Sequence, residues 1–401
     1  MLEAYIYDGA RTPFGRQDGA LSRVRPDDML GDVIKAVVSR SGFAPESIDD
    51  VNIGCVSQAG EDSRNVGRHA MLRAGLPIEV PASTINRLCG SGMNALISAA
   101  HAITCGEADV VVAGGVESMT RAPFVVGRTE GAFPKRIESY VASLGARFPN
   151  PRIESDFGAD TMPQTADNLA REFQLTREAC DIYALASQQK YQAAAKAGFY
   201  KDELLPVTIP AAKKGQPDGT VDVDEHPRAE TTIEGLAKLK ALFKDGVTTA
   251  GNASGINDGA AALLVASRDA GDKAGAKPRA RIIATAVAGV APRIMGFGPV
   301  PAAQKALERA GLELKDMDVI EINEAFAAQV LACLKGLNLS ADDKRLNPNG
   351  GAIALGHPLG ASGARITLTA MRQLERTGGK RALVSMCIGV GQGIAMVIER
   401  V

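Results

Sequence analysis

The strongest constraint on this 401-residue chain is that part of it occurs twice. Residues 87–115 read RLCGSGMNALISAAHAITCGEADVVVAGG, and residues 358–387 read PLGASGARITLTAMRQLERTGGKRALVSMC. Each stretch contains Leu-x-x-Ser-Gly, a helix-length segment, a turn with glycine and a continuous apolar run. The similarity extends upstream. Arg40-Ser41-Gly42 precedes Ile48-Asp49-Asp50-Val51-Asn52-Ile53, as Arg309-Ala310-Gly311 precedes Met317-Asp318-Val319-Ile320-Glu321-Ile322. Gly42 lies 49 positions before Ser91, and Gly311 lies 51 before Ser362. One element order at near-equal spacing predicts two similar halves packed on each other.

The element pattern is α/β. Short apolar runs at Val110–Ala113, Ala261–Val265, Ala382–Met386 and Ile394–Ile398 suit strands buried on both faces. Met93–Ile103 reads as a helix apolar all round, and Ala364–Arg376 as one with a polar face. Residues 121–247 differ, with more proline and charge and weaker strand signals. There Thr176 is an expected N-cap of a long helix reaching Ala195, and residues 213–235 read as a loop with hairpin signals. The expected division is a first half over 1–120 plus 248–270, an inserted loop domain over 121–247 and a second half over 271–401.

Composition excludes several classes. Hydrophobic residues at 45% are enough for a large core, and 45 basic against 46 acidic residues leave no global footprint for nucleic acid or an anionic membrane. No apolar run approaches the roughly 18 residues of a membrane span, and no secretory pattern opens the sequence. Six scattered cysteines form no C-x-x-C pair and no zinc spacing, which fits a cytoplasmic protein without a metal or redox cofactor. Cys55, Cys105, Cys180 and Cys333 read as buried apolar thiols, and His69, His101 and His226 as structural or surface residues.

Cys89 and Cys387 stand apart. Cys89 lies at the start of an expected helix among small residues. A helix N-terminus lowers a thiol pKa, which makes Cys89 a candidate nucleophile with backbone N–H groups nearby for an oxyanion. His357, between Gly356 and Pro358, lies in the repeat stretch corresponding to the one just before Cys89, so the two halves would supply a nucleophile and a base to one site. Cys387 ends a strand before a glycine-rich turn and could exchange protons. Asn323 ends the repeated strand, where its amide could hold a water or carbonyl.

Long motifs around these residues resemble the thiolase family. They are Arg11-Thr12-Pro13-Phe14-Gly15, Asn86-Arg87-Leu88-Cys89-Gly90-Ser91-Gly92, Gly114-Gly115-Val116-Glu117-Ser118-Met119 and Ala250-Gly251-Asn252-Ala253-Ser254-Gly255. To these add Asn323-Glu324-Ala325-Phe326, Asn347-Pro348-Asn349-Gly350-Gly351-Ala352, Gly356-His357-Pro358-Leu359-Gly360 and Cys387-Ile388-Gly389-Val390-Gly391. The resemblance implies a thiolase fold, with two pseudo-twofold halves in αβαβα layers. It implies an acyltransferase in which Cys89 carries the acyl group, His357 takes its proton and Cys387 exchanges protons with the enolate and with CoA. One oxyanion site would be His357 with a water on Asn323, and the other the N–H groups of Cys89 and Gly389.

Coenzyme A, a substrate, would lie along Met162, Arg228, Phe243, Ala250, Ser254 and Phe326. Relatives that act on acetoacetyl-CoA often carry His-Met where this chain has Thr161-Met162, and the wording around 160–166 and 390–393 is similar to 3-oxoadipyl-CoA thiolases. Acetoacetyl-CoA and broad-range 3-ketoacyl-CoA thiolases are the alternatives. A condensing enzyme of the ketoacyl synthase type would place histidines where Cys387 and Asn323 stand, and a non-catalytic acyl-CoA carrier would form no acyl-enzyme. The expected partners are acyl-CoA substrates and a homodimer or homotetramer. Residues 128–159 match the family least.

Overall fold

The computed structural model describes residues 2–129, 131, 133 and 136–401. Its strands are β1 Ala4–Arg11, β2 Gly15–Arg16, β3 Asp50–Gly54, β4 Ala82–Ile85, β5 Val110–Ser118, β6 Phe124–Val126, β7 Ser139–Val141, β8 Val207–Ile209, β9 Gly219–Val221, β10 Asn257–Ala266, β11 Ala280–Gly289, β12 Val319–Ile322, β13 Arg381–Ile388 and β14 Gln392–Arg400. Ten of them form one sheet with the order β12-β13-β14-β11-β1-β10-β5-β3-β4, and β2 pairs with β10.

The repeat read in the sequence is a repeat of topology. In the first half β1 and β10, then β10 and β5, pair antiparallel, and β5 with β3 and β3 with β4 pair parallel. In the second half β11 and β14, then β14 and β13, pair antiparallel, and β13 with β12 pairs parallel. The place of β4 is taken by a single parallel bridge from Ile320 to Leu346. The halves join where Ala4–Ile6 of β1 meets Ala280–Ile282 of β11.

Matching caps shape matching helices. Pro26–Ser41 starts with proline in its first turn and ends at Gly42, whose φ is 83°. Pro299–Ala310 also starts with proline and ends at Gly311, with φ 65°. Proline fits the first turn because its missing N–H is unneeded there, and glycine takes the left-handed cap without penalty.

Three apolar clusters define the layers. One packs Pro26–Ser41 and Val66–Ala74 on the first-half strands, and another packs Pro299–Ala310 and Ala327–Gly336 on the second-half strands. Between them the central helices Ser91–Cys105 and Leu359–Thr377 share a core with strands of both halves. The result is helix, half-sheet, helix, half-sheet, helix, with the central helices between the two halves of the one sheet. The central helices touch backbone to backbone: a Cβ at Gly92 would lie 2.4 Å from the Gly360 carbonyl oxygen, so only glycine fits.

Two expectations are corrected here. The polar residues Arg365, Thr367 and Thr369 of the second central helix do not face solvent. They are buried where the helix runs between the halves of the sheet, while Glu375, Arg376 and Thr377 of its last turn are exposed. Cys105 is exposed, since it closes the first central helix just before the Gly106 cap, while Cys55, Cys180 and Cys333 are buried as expected.

Among its described residues, the region 121–247 holds the hairpins β6–β7 and β8–β9 and five helical segments, including Met162–Glu172 and Arg177–Lys196. Thr176 caps the latter, its Oγ1 accepting from the Ala179 N–H at 3.1 Å. Arg11 pins the region to β1, with Glu203 and Asp224 each 2.6 Å away and all three side chains fully buried. No helix among the described residues is long and apolar enough to cross a membrane.

Candidate active site

Cys89 sits on a constrained elbow between β4 and the first central helix. Leu88 before it is held at φ 46°, a conformation unusual for a branched side chain. Three hydrogen bonds hold it there. The Leu88 N–H donates to Asn86 Oδ1 at 2.9 Å, Ser91 Oγ donates to the Leu88 carbonyl at 2.6 Å, and the Arg87 N–H donates to Ser91 Oγ at 2.9 Å. The elbow turns Cys89, half-buried, toward the end of β13.

Residues of the second half close around that sulfur. The backbone N–H groups of Gly389 and of Cys89 itself both point at it, the same pair expected as an oxyanion site. The Cys387 thiol lies near enough to feel a charge on Cys89. A Cβ on Gly389 would lie 3.3 Å from Leu88 Cδ1 and 3.5 Å from Met162 Sδ, so Met162 and Leu88 flank the same spot.

The expected lowering of the Cys89 pKa is corrected. Burial pushes the thiol up to about 11, and the two N–H groups offset only part of that rise. Burial also pushes Cys387 well above the usual thiol range, with the neighbouring Cys89 adding to the rise.

His357 follows Gly356, which is held at φ 99°. Its backbone N–H donates to Asn257 Oδ1 at 3.0 Å, its Nδ1 is 2.6 Å from Ser362 Oγ, and its Nε2 is buried without a partner. Burial, then the nearby Arg365 guanidinium, push the imidazole down to about 3. At neutral pH, Cys89 and His357 are therefore an uncharged thiol and an uncharged imidazole, not an ion pair. Asn323 is 1% exposed, and neither its Oδ1 nor its Nδ2 has a partner. Buried polar atoms are nearly always paired, so the unmet atoms of Asn323 and of His357 are open to a water or a ligand.

Two carboxylates that sequence reasoning left without a role hold the loops. Glu324 accepts from Tyr183 at 2.9 Å, Ser187 at 2.6 Å, Asn347 at 3.0 Å and the Ile353 N–H at 3.2 Å. It thereby ties the Asn323 turn to the segment leading into His357. Glu117 accepts the N–H groups of Val56 at 3.0 Å, Ser57 at 2.9 Å and Gly360 at 2.9 Å, and burial pushes it up to about 7. Both lie inside the motifs quoted above, but only the folded chain shows what they clamp.

A cleft of about 240 Å³ is lined by residues that include His226, Arg228, Leu236, Ala250 and Ile353. Arg228 and Ala250 were expected to contact CoA. His226, read as structural or surface, lines this cleft, and burial and the nearby Arg228 push it down to about 4. The other expected CoA contacts do not line this cleft. Ser254 donates its N–H to the Ala325 carbonyl at 2.9 Å beside Phe326, Met162 lies at Gly389, and Phe243 is half-buried in the turn it closes with Gly246.

A wider cleft of about 590 Å³, lined by Asp8, Arg40, Lys201, Lys277, Arg279 and Arg372 among others, contains none of these residues. Within it Arg40 and Arg279 share Asp8, and Arg279 also holds Glu375.

Comparison with known proteins decides the family. Residues 4–269 match the thiolase N-terminal domain, and residues 276–400 match the thiolase C-terminal domain. The chain belongs to the thiolase family. This thiolase is 57% identical to the beta-ketoadipyl-CoA thiolase of Acinetobacter baylyi over 403 aligned positions, covering 100% of both chains. It is 55% identical to the 3-oxoadipyl-CoA/3-oxo-5,6-dehydrosuberyl-CoA thiolase of Escherichia coli, again with 100% coverage of both. Among solved structures it resembles human mitochondrial 3-ketoacyl-CoA thiolase in complex with CoA, with TM-score 0.91 and 44% identity over 100% of this chain and 98% of that one. The thiolase is accordingly an acyltransferase that works on acyl-CoA thioesters, with CoA as a substrate. Among its described residues, no three His, Cys, Asp or Glu side chains are grouped to hold a metal ion.

Proposed function

We propose that this thiolase uses free CoA to cleave 3-oxoadipyl-CoA into acetyl-CoA and an acyl-CoA two carbons shorter, reversibly, through an acyl thioester on Cys89. The observation that carries the mechanism is that N–H groups from both halves, Cys89 and Gly389, converge on one sulfur whose charge a second thiol, Cys387, is near enough to feel. The substrate reading rests on the names of the relatives at 57% and 55% identity and on Thr161 standing before Met162.

In the first stage the Cys89 proton moves to His357 Nε2 as the sulfur attacks the C3 ketone. The C2–C3 bond then breaks, and its electron pair becomes the enolate of acetyl-CoA. Cys387 gives its proton to C2, releasing acetyl-CoA and leaving the shortened acyl group on Cys89. In the second stage CoA enters and passes its thiol proton to the Cys387 thiolate. The CoA sulfur attacks the acyl thioester, and the departing Cys89 thiolate recovers its proton from His357.

The neutral resting pair suits this sequence. With Cys89 near 11 and His357 near 3, charge forms only as the carbonyl is attacked, so preset donors favour the transition state over the resting enzyme. His357, with a water on Asn323, would serve one oxyanion, and the N–H groups of Cys89 and Gly389 the other. Coenzyme A would lie along Arg228 and Ala250 toward Ser254, Phe326 and Met162, with Phe243 toward its outer end.

The same reading keeps the division into halves over 1–120 plus 248–270 and 271–401 with an inserted 121–247. It also keeps a cytoplasmic homodimer or homotetramer. Part of the weakly matching stretch 128–159 lies outside the described residues.

The test is a kcat/KM comparison across 3-oxoadipyl-CoA, acetoacetyl-CoA and a 3-oxoacyl-CoA of equal length without the terminal carboxylate. Preference for the carboxylate-bearing substrate is expected. A preference for acetoacetyl-CoA contradicts the substrate assignment.

A further inference from the structure

The repeated Leu-x-x-Ser-Gly places one serine in each half at the entrance of a central helix, Ser91 and Ser362. Both are fully buried, and each hydroxyl donates back into its loop, Ser91 to the Leu88 carbonyl at 2.6 Å and Ser362 to the Pro358 carbonyl at 2.8 Å. A hydroxyl has one hydrogen, and a carbonyl can only accept. With that hydrogen committed, each serine oxygen offers its neighbourhood nothing but lone pairs.

In the first half those lone pairs take a backbone donor, the Arg87 N–H at 2.9 Å. In the second half they face His357 Nδ1 at 2.6 Å. A short contact with an oxygen that can only accept requires a hydrogen on Nδ1. A neutral imidazole has one N–H, so Nε2 must then carry a bare lone pair. Nε2 is the buried ring atom without a partner, and the Asn257 contact to the His357 N–H fixes the backbone from which the ring projects.

We propose that Ser362 is the positioning residue for His357: it fixes the Nδ1–H tautomer and so presents Nε2 as the proton acceptor for Cys89. The inference rests on the reading of His357 as the base given above. In the proton transfer, the Cys89 S–H bond breaks and an Nε2–H bond forms. Nδ1 keeps its hydrogen, and the cation produced is held by the same Ser362 oxygen. Ser362 itself exchanges no proton. It is the second repeat's version of a device that, in the first repeat, shapes only the elbow.

The experiment has two readouts. The protein has four histidines, so long-range proton–nitrogen correlation spectra of histidine-labelled enzyme resolve each ring, and His357→Asn identifies the His357 signals. The resting wild type is expected to show a protonated Nδ1 and a bare Nε2. Ser362→Ala is expected to lose that single tautomer. It should also slow acetylation of Cys89 by acetyl-CoA about 10- to 100-fold at unchanged KM, part of the roughly 10²- to 10⁴-fold a general base supplies. Ser362→Thr, which restores a hydroxyl, should recover both.

A wild-type spectrum with hydrogen on Nε2 overturns the proposal, and it remains decisive if the alanine variant fails to fold. Wild-type tautomer and rate in Ser362→Ala also overturn it. If His357→Asn acetylates at the wild-type rate, the base assignment fails instead, while the spectra still report on Ser362.

Discussion

The two halves carry the same strands, helices and loops, but only one of two equivalent places is left open for chemistry. Aligning Leu88-x-x-Ser91 with Leu359-x-x-Ser362, and β3 with β12, matches Cys89 to Gly360, Cys387 to Val116 and Asn323 to Gly54. At the first-half place a Cβ on Gly360 would lie 2.3 Å from the Val116 carbonyl oxygen and 2.6 Å from that of Gly54. The Gly360 N–H, counterpart of the Cys89 N–H, is used by Glu117. Backbone and one carboxylate fill that place. At the second-half place the corresponding positions hold two thiols and an amide, and polar atoms are left unmet. The duplicated topology therefore supplies two scaffolds, and a few side chains decide which becomes a knot and which a reaction site.

Substitutions on either side should separate the two roles. The largest effect is expected from Cys89→Ala, which should lower CoA-dependent cleavage by at least about 10⁴-fold, as loss of a covalent nucleophile does, with little change in unfolding midpoint. Steady-state rates and denaturant curves check both halves of that statement. Asn323→Ala should lower kcat about 10²- to 10³-fold, the usual cost of one oxyanion donor, and an unchanged kcat would remove Asn323 from the site. Across the mirror, Glu117→Gln leaves the N–H groups of Val56, Ser57 and Gly360 short of acceptors. It should cost about 1–3 kcal/mol of stability, read from urea unfolding, while kcat stays within a few-fold. A collapse of kcat with full stability would show that the first-half place is more than a knot.

At neutral pH the effect that vanishes is in pH dependence. His357 titrates near 3 when folded and near 6.5 when unfolded. Between those values the unfolded chain binds a proton that the folded chain refuses, so stability falls as pH drops from about 6.5 toward 3. The slope from this group is at most about 1.4 kcal/mol per pH unit. His357→Asn should flatten that part of the stability profile and leave the profile above pH 7 unchanged.

Much of this was legible before folding because it was local. The repeat, the strands flanking the central helices and the glycine caps at Gly42 and Gly311 follow from spacing and residue type. Cys89 and His357 stood out because matched motifs put both at helix entrances. What sequence could not supply was burial. The helix-end argument gave Cys89 the wrong direction of pKa shift because removal from water outweighs two N–H groups. The polar face read over Ala364–Arg376 includes the fully buried Arg365 because nothing local says that this helix runs between the halves of the sheet. Glu324 gains its role from partners such as Tyr183 and Ser187, more than a hundred residues away and beyond the reach of periodicity.

The central claim is that one acyl-carrying sulfur is served by both halves. Peptide mapping by mass spectrometry after brief exposure to acetyl-CoA tests it most directly. A single acetyl group on the peptide containing Cys89, absent from Cys89→Ala and removed by added CoA, is the expected result. An acetyl group on Cys387 or elsewhere in place of Cys89, or none at all in an enzyme that turns over, would contradict it.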